Sequence, residues 1–341
     1  MSKHTAEYLN SGAILIGYAS KRGNAWWYRA ELDQGEPTHY PEAIPAADIK
    51  RRLFGWEPVT GSAKTTFRDG GRSFTLADPK MKTLMRPGTH DFLGWVGEGF
   101  KVHSYWKWLV QNFGVILDTP ESELGFGSAG LLYNGAVAWA QIEFPETVDG
   151  PGGIKHRPFF TAATAMNGSM SSTYQRGSQL VVCDNTFEAA MRENADRVKV
   201  AHTRFSLGKL GNVQQALRIM HEGTDAVNAE FEAMLGNTVS DHEWDLFLDA
   251  HLGERPREDG RGRTNYDNKR SELGTLYTSD ERVAPWKGTE FGVVQAVSTY
   301  EHHIATVKGM DRGQRNMDKM IKGEWAKSAA RVSKQLAAVQ A

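Results

Sequence analysis

The chain of 341 residues contains one cysteine, Cys183. A lone thiol excludes an internal disulfide and any zinc site built from several cysteines. No apolar run reaches the ~18 residues of a membrane-spanning helix, and Met1 to Asn10 has no apolar signal-peptide stretch, so no membrane partner is expected and the cytoplasm is the expected compartment. Charge of one sign is also lacking. The formal net charge is −1, so a nucleic-acid partner would have to be held by local patches and not by the field of the whole molecule. No HExxH pattern occurs, and His302-His303 are adjacent on a helical stretch and point different ways. Asp249 and His251 have no further ligands at recognisable spacing, so no metal and no cofactor is expected.

What remains is an ordinary globular composition. Hydrophobic residues make up 40% and charged residues 24%, and ten tryptophans argue against disorder. The length suits two domains or one large one. Charge is unevenly spread. From Lys50 to Arg86 there are nine basic and three acidic residues, and from Glu301 to Ala341 eight and four. Ile219 to Glu254 has nine acidic residues and no Lys or Arg. Such asymmetry marks either solvated helix faces or a surface on which copies of the chain dock head to tail.

The first two thirds read as strands. Ala13 to Tyr18 and Trp26 to Leu32 suggest a hairpin, and Asp48 to Phe54 a short helix stopped by Gly55. Phe67, Phe74 and Leu76 alternate with polar residues around Asp69-Gly70-Gly71, a second hairpin. Phe92 to His103 reads as a strand and Tyr105 to Phe113 as an aromatic helix. Asn134-Gly135 is the strongest hairpin signal, and Asn167-Gly168 marks another. Leu180 to Phe205 reads as strand, helix capped at Asn185, and strand.

Beyond Phe205 the apolar period lengthens. Leu210, Val213, Leu217, Met220, Thr224, Val227, Phe231 and Met234 describe one long amphipathic helix. Ser240 with Glu243 forms a capping box before Trp244, Phe247, Leu248 and Leu252. Gly253 to Lys269 has no periodicity and reads as a loop. Thr289 to Ile304 and the basic tail Arg312 to Ala338 are helical. The expected fold class is therefore α+β: a mainly antiparallel sheet with inserted helices, then an all-helical C-terminal region. The expected divisions are a sheet-rich core at 1–205, acidic helices at 206–252, a flexible linker at 253–270 and a basic helical region at 271–341.

Two glycine patterns fail as phosphate motifs. Gly125-Phe126-Gly127-Ser128-Ala129-Gly130 has dinucleotide-site spacing, but a strand and a hairpin follow it where a helix is required. Gly61-Ser62-Ala63-Lys64-Thr65 has the wrong spacing from Gly55, and its lysine does not directly follow the glycine. Cys183 with His202 and Asp184 or Asn185 could form a nucleophile, a base and an orienting group. A packed cysteine, a capping asparagine and a strand-end histidine explain the same residues more simply.

Aromatic and basic residues interleave at Phe100 to Trp108 and again at Tyr174, Arg176, Lys199, Arg204 and Phe205. Single-stranded nucleic acid is held by cations on phosphates and rings on bases. The candidate DNA-binding residues are accordingly Lys101, Arg176, Lys199 and Arg204 for phosphates, with Tyr105, Trp108 and Tyr174 for bases. Trp106 shares the apolar side of its helix and reads as core.

Several strings resemble a family of phage and plasmid proteins that carry a domain of unknown function. They are Leu93 to Val102, Ser128 to Leu131, the Asn134-Gly135 turn, Val181-Val182-Cys183-Asp184-Asn185-Thr186, His202-Thr203 and Gly288 to Val297. The arrangement is also broadly similar to single-strand annealing proteins of the RecT, Redβ and Erf type. The resemblance implies a mobile-element protein in a bacterial host's cytoplasm that binds single-stranded DNA as a homo-oligomer and without a cofactor. A self-assembling structural or host-interaction protein is the alternative, and a cysteine-dependent hydrolase a third.

Overall fold

Alternation and turn chemistry set the strands of this computed structural model, which describes residues 12–25, 28–32, 35–117, 124–180, 186–187, 197–203, 224–309 and 312–341. In chain order the strands are β1 (Ile14–Ile16), β2 (Val59–Asp69), β3 (Arg72–Met85), β4 (Phe92–Gly97), β5 (Gly125–Leu132), β6 (Val137–Glu143), β7 (Val148–Asp149), β8 (Lys155–Ala165), β9 (Ser172–Leu180), β10 (Thr186–Phe187) and β11 (Arg197–Val200). The helices are α1 (Ala19–Arg22), α2 (Ala46–Ile49), α3 (Asn112–Leu117), α4 (Thr224–Gly236), α5 (Asp241–Leu252), α6 (Arg261–Ser279), α7 (Glu290–Thr299), α8 (Arg312–Lys322) and α9 (Glu324–Gln340). Wide π-type turns extend α2 through Lys50–Phe54, lead into α3 through Trp106–Gln111 and extend α7 through Tyr300–Ile304. The α+β reading holds: antiparallel sheets with inserted helices come first, and the C-terminal region is helical.

The chain forms two units. The first comprises 1–146, 159–176 and 194–221, and the second 147–158, 177–193 and 222–341. This differs from the division expected at 205. Residues 147–158 join the helical unit because Ile154 is fully buried in its core, and Trp286 Nε1 donates to Gly152 O at 3.0 Å. A Pro-Gly-Gly loop with one apolar residue gave little sign of that attachment.

In the first unit the main sheet runs β1-β5-β6-β8-β9, with β11 also on β9. Ala138, Ala140 and Ile142 of β6 point to one face, where Phe54, Leu109, Phe113, Phe160 and Tyr174 complete the core. The other face takes Trp139, Gln141 and Glu143. This alternation explains the glycines of β5. Gly130 lies directly opposite Trp139, and a Cβ there would enter the indole. A Cβ at Gly127 would enter the Glu143 carboxylate. Gly127 and Gly130 make room for large partners on the facing strand, and Gly125 makes room for Tyr18.

Among the described residues, the hairpin expected near the N-terminus does not form. Ile14–Ile16 pairs with β5, and α1 follows at once behind Tyr18, which has φ 54°. The helix expected after Asn185 cannot begin there either, because Thr186–Phe187 pairs with Gln179 and Ser178 of β9. Residues 181–185, 188–196 and 204–223 lie outside the described residues.

The second unit packs α4, α5, α6, α7 and α9 around Phe231, Phe247, Tyr277, Phe291, Val297 and Leu336. The capping box at Ser240 and Glu243 is present, and Thr289 caps α7 through Gly292 N. The linker expected at 253–270 ends at Gly260, because 261–279 is helix. Only its second half is buried, through Leu273, Leu276 and Tyr277. Its first half faces water and is tied by Arg255–Asp267 and Arg263–Asp259 pairs, so no apolar period announces it. The basic tail is two helices, divided at Gly323 with φ 67°.

Candidate nucleic-acid interface

Of the residues predicted from the sequence, those the structure describes do not form one exposed groove. Tyr105, Trp108 and Tyr174 are each 0–1% exposed. Tyr105 donates to Gly135 O at 2.7 Å and Tyr174 to Trp108 O at 2.7 Å, so their polar tips are committed inside the core. Such rings cannot stack on bases. Arg176 is buried, and Arg204 lies outside the described residues. Lys101 and Lys199 are exposed, Lys199 on β11 opposite Thr173.

Between those lysines and the core lies a stack of four rings. Phe100 packs on His202 (centroids 4.4 Å), His202 on His103 (4.0 Å) and His103 on Trp108 (3.8 Å). Hydrogen bonds fix the tautomers. Ser172 Oγ donates to Thr164 Oγ1 at 2.7 Å, so His103 Nδ1–H donates to Ser172 Oγ at 2.6 Å. Thr164 then donates to His202 Nε2 at 3.3 Å, and His202 Nδ1–H to Lys101 O at 2.8 Å. Both nitrogens of His202 are thereby used, and Cys183 lies outside the described residues. Burial, helped by neighbouring His202, pushes His103 down to about 3. A second buried pair joins His156 Nδ1 to Ser178 Oγ at 2.6 Å, with Asn228 Oδ1 3.0 Å from Nε2. His156 and Ser178 are both 0% exposed, so this arrangement pins β9 to α4 away from solvent.

Exposed cations and rings meet elsewhere, on the β2–β3 ribbon. Its two-residue turn, Gly70-Gly71, has φ 52° and 79°. Positive φ at both positions is what a tight type I′ hairpin requires, and glycine supplies it without strain. Phe67 lies directly opposite Phe74, and Thr65 opposite Leu76. Alternation then places Lys64, Thr66 and Arg68 on the opposite face with Ser73 and Thr75, where the Thr66 and Thr75 hydroxyls are 3.0 Å apart. Every residue from Lys64 to Lys80 is exposed, so neither face is covered.

Lys64, Arg68, Arg72 and Lys80 face Asp69 and Asp78 in this stretch, and none of the four cations is in an ion pair among the described residues. Of the seven large hydrophobic side chains exposed among the described residues, six lie in this three-stranded sheet: Val59, Phe67, Phe74, Leu76, Phe92 and Trp95. Apolar exposure among the described residues is thus concentrated in this sheet. The alternation around Asp69-Gly70-Gly71 and the basic run from Lys50 were the sequence signals for it, although they pointed only to a hairpin and a charge patch.

Comparison with known proteins identifies a family. Residues 92–324 match the family described as Domain of unknown function (DUF932), and the chain belongs to that family. Neither the curated proteins nor the solved structures provide a match. The matched segment contains the ring stack and most of the helical unit, whereas the ribbon precedes it. Among the described residues no helix is long and apolar enough to cross a membrane.

Proposed function

We propose that this chain is a phage or plasmid single-stranded DNA-binding protein that supports strand annealing without a cofactor, and that the β2–β3 ribbon is its main contact. The observation carrying this reading is the exposed ribbon itself, on which Phe67 and Phe74 form a cross-strand pair and whose two faces together carry four cations that are in no ion pair among the described residues. Rings of this kind stack on bases for ~1–3 kcal/mol each, and cations displace counterions from the phosphate backbone. Lys101 and Lys199 supply further positive charge on the same unit. Arg176, Tyr105, Trp108 and Tyr174 have no part in the contact.

Anisotropy of a labelled single-stranded oligonucleotide, titrated at several salt concentrations, tests the reading. Affinity should fall linearly in log–log form, with a slope near −3 if all four ribbon cations meet phosphates, from about −0.7 per contact. No binding at low salt would overturn it. Self-assembly is the second reading, and it is favoured by exposed apolar side chains on both edge strands of the β2-β3-β4 sheet, Val59 on β2 and Phe92 and Trp95 on β4. The acidic stretch offers it less than the sequence implied, because Arg270 pairs with Asp245 and Asp249 and Lys287 with Asp241 inside the same unit. Light scattering that gives a monomer at all salt concentrations would remove this second reading.

A further inference from the structure

A pocket of about 340 Å³ opens where the β3–β4 turn meets the β5–β6 turn, and its lining includes Arg52, Arg86, Asp91, Asn134 and Gly135. Its two arginines differ in kind. Arg52 is already committed, donating to Pro37 O at 2.7 Å and to Tyr40 Oη at 3.1 Å. Arg86 is half-buried over the Trp56 ring, 5.1 Å from the centroid, and its guanidinium makes no hydrogen bond or ion pair among the described residues. A guanidinium stays charged at any ordinary pH and carries five donors in a planar fork, so a half-buried one without an acceptor is poised for an anion.

The facing turn is shaped around it. Tyr133, Asn134 and Gly135 have φ of 51°, 56° and 97° in succession, which is costly backbone for the first two. A Cβ on Gly135 would sit 3.3 Å from Arg86 Cδ and 3.2 Å from Trp56, a tight contact, so glycine suits this position chiefly through its φ of 97° and also leaves the arginine room. The Asn134 side chain stands exposed at the rim. The Asp91 carboxylate on the wall is not within ion-pair distance of Arg86, and it gives the pocket an acceptor for a hydroxyl or amino group. The volume lies at the lower end of small-ligand sites.

We propose that this pocket binds a phosphomonoester, with the phosphate on Arg86 and a hydroxyl or amino group of the same ligand on Asp91. The phosphate belongs either to a free nucleotide or to the 5′ end of a DNA strand. The proposal does not rest on the ribbon reading.

Calorimetric titration of the full chain separates the cases, with a nucleoside 5′-monophosphate, the matching nucleoside, and an oligonucleotide with and without its 5′ phosphate. The phosphorylated member of at least one pair should bind at least tenfold tighter than its partner. Binding of the monophosphate identifies a free nucleotide, and binding of the oligonucleotide alone identifies a strand end. Arg86→Gln should weaken that binding tenfold or more. If Arg86→Gln does not fold, Arg86→Lys keeps the charge, loses the planar fork and should weaken binding in the same direction. Failure of every phosphorylated ligand to bind, equal affinity with and without phosphate, or native affinity in the Arg86 variant would overturn the proposal.

Discussion

Replacing Glu143 by Gln should be the most damaging isosteric change in the first unit. The Glu143 side chain is 0% exposed and that of Arg22 12% exposed, and the two meet at 2.5 Å. Arg22 also donates to Gly127 O at 2.7 Å, and Gln141 approaches the second carboxylate oxygen at 3.5 Å while accepting from Thr161. Glu143→Gln leaves shape and volume unchanged but strands the guanidinium, and removing one partner of a buried pair costs about 3–5 kcal/mol. That is a large part of the ~5–15 kcal/mol that holds a typical domain folded.

Urea unfolding followed by tryptophan fluorescence would show the loss, and if the two units unfold separately only one transition should move. A hydrophobic double replacement, Arg22→Met/Glu143→Leu, should recover most of the loss. A Glu143→Gln shift below about 1 kcal/mol would refute the claim that this pair is held without solvent.

Further outcomes follow from other sites. Phe67→Ala/Phe74→Ala should leave the urea midpoint unchanged, because both rings are about half exposed, yet lower single-strand affinity by tenfold or more in the anisotropy assay. Ser240→Ala removes the acceptor for Glu243 N and should cost α5 ~1 kcal/mol, read from thermal or urea unfolding. Gly130→Ala should be among the least tolerated glycine changes, since the new methyl meets the Trp139 indole; soluble yield and melting temperature report it. Burial lowers both His103 and His302 from 6.5 to about 3. The unfolded chain then binds protons first as pH falls, so stability is full above 6.5 and is lost toward 3, at up to ~1.4 kcal/mol per pH unit for each histidine. His302→Gln should flatten that slope in pH-resolved urea titrations.

Much of the fold was legible because local chemistry and tertiary packing agreed. Asn134-Gly135 and Gly70-Gly71 specify their turns by φ alone, and Ser240 with Glu243 specifies a helix start that packing only reinforces. What escaped depends on partners distant in sequence. Ile14–Ile16 finds β5, over a hundred residues away, and not its neighbour. The strand at Thr186–Phe187 is decided by the open edge of β9, although the local pattern favoured a helical cap. Arg261–Ser279 is helical because its last turns reach a core that its first turns never touch. Arg86 carried no sign in the sequence, since an arginine becomes a site only when the turn opposite it is known.

The two aromatic and basic stretches show why period decides the meaning of composition. From Tyr105 to Phe113 the chain is helical, so Tyr105, Trp108, Leu109 and Phe113 fall on one side and enter the core, while Lys107 turns outward. Rings so buried cannot stack on a strand that Lys107 would hold. On the ribbon the period is two, and a hairpin with no layer on either side leaves both sets in water. Burial cannot explain Phe67 and Phe74 there, because exposing two phenylalanines forgoes ~1.5–3 kcal/mol each that covering them would contribute. A partner that covers them is the simplest account of their retention on an exposed arm. The four cations at its side favour an anionic partner with flat faces over a second apolar protein surface.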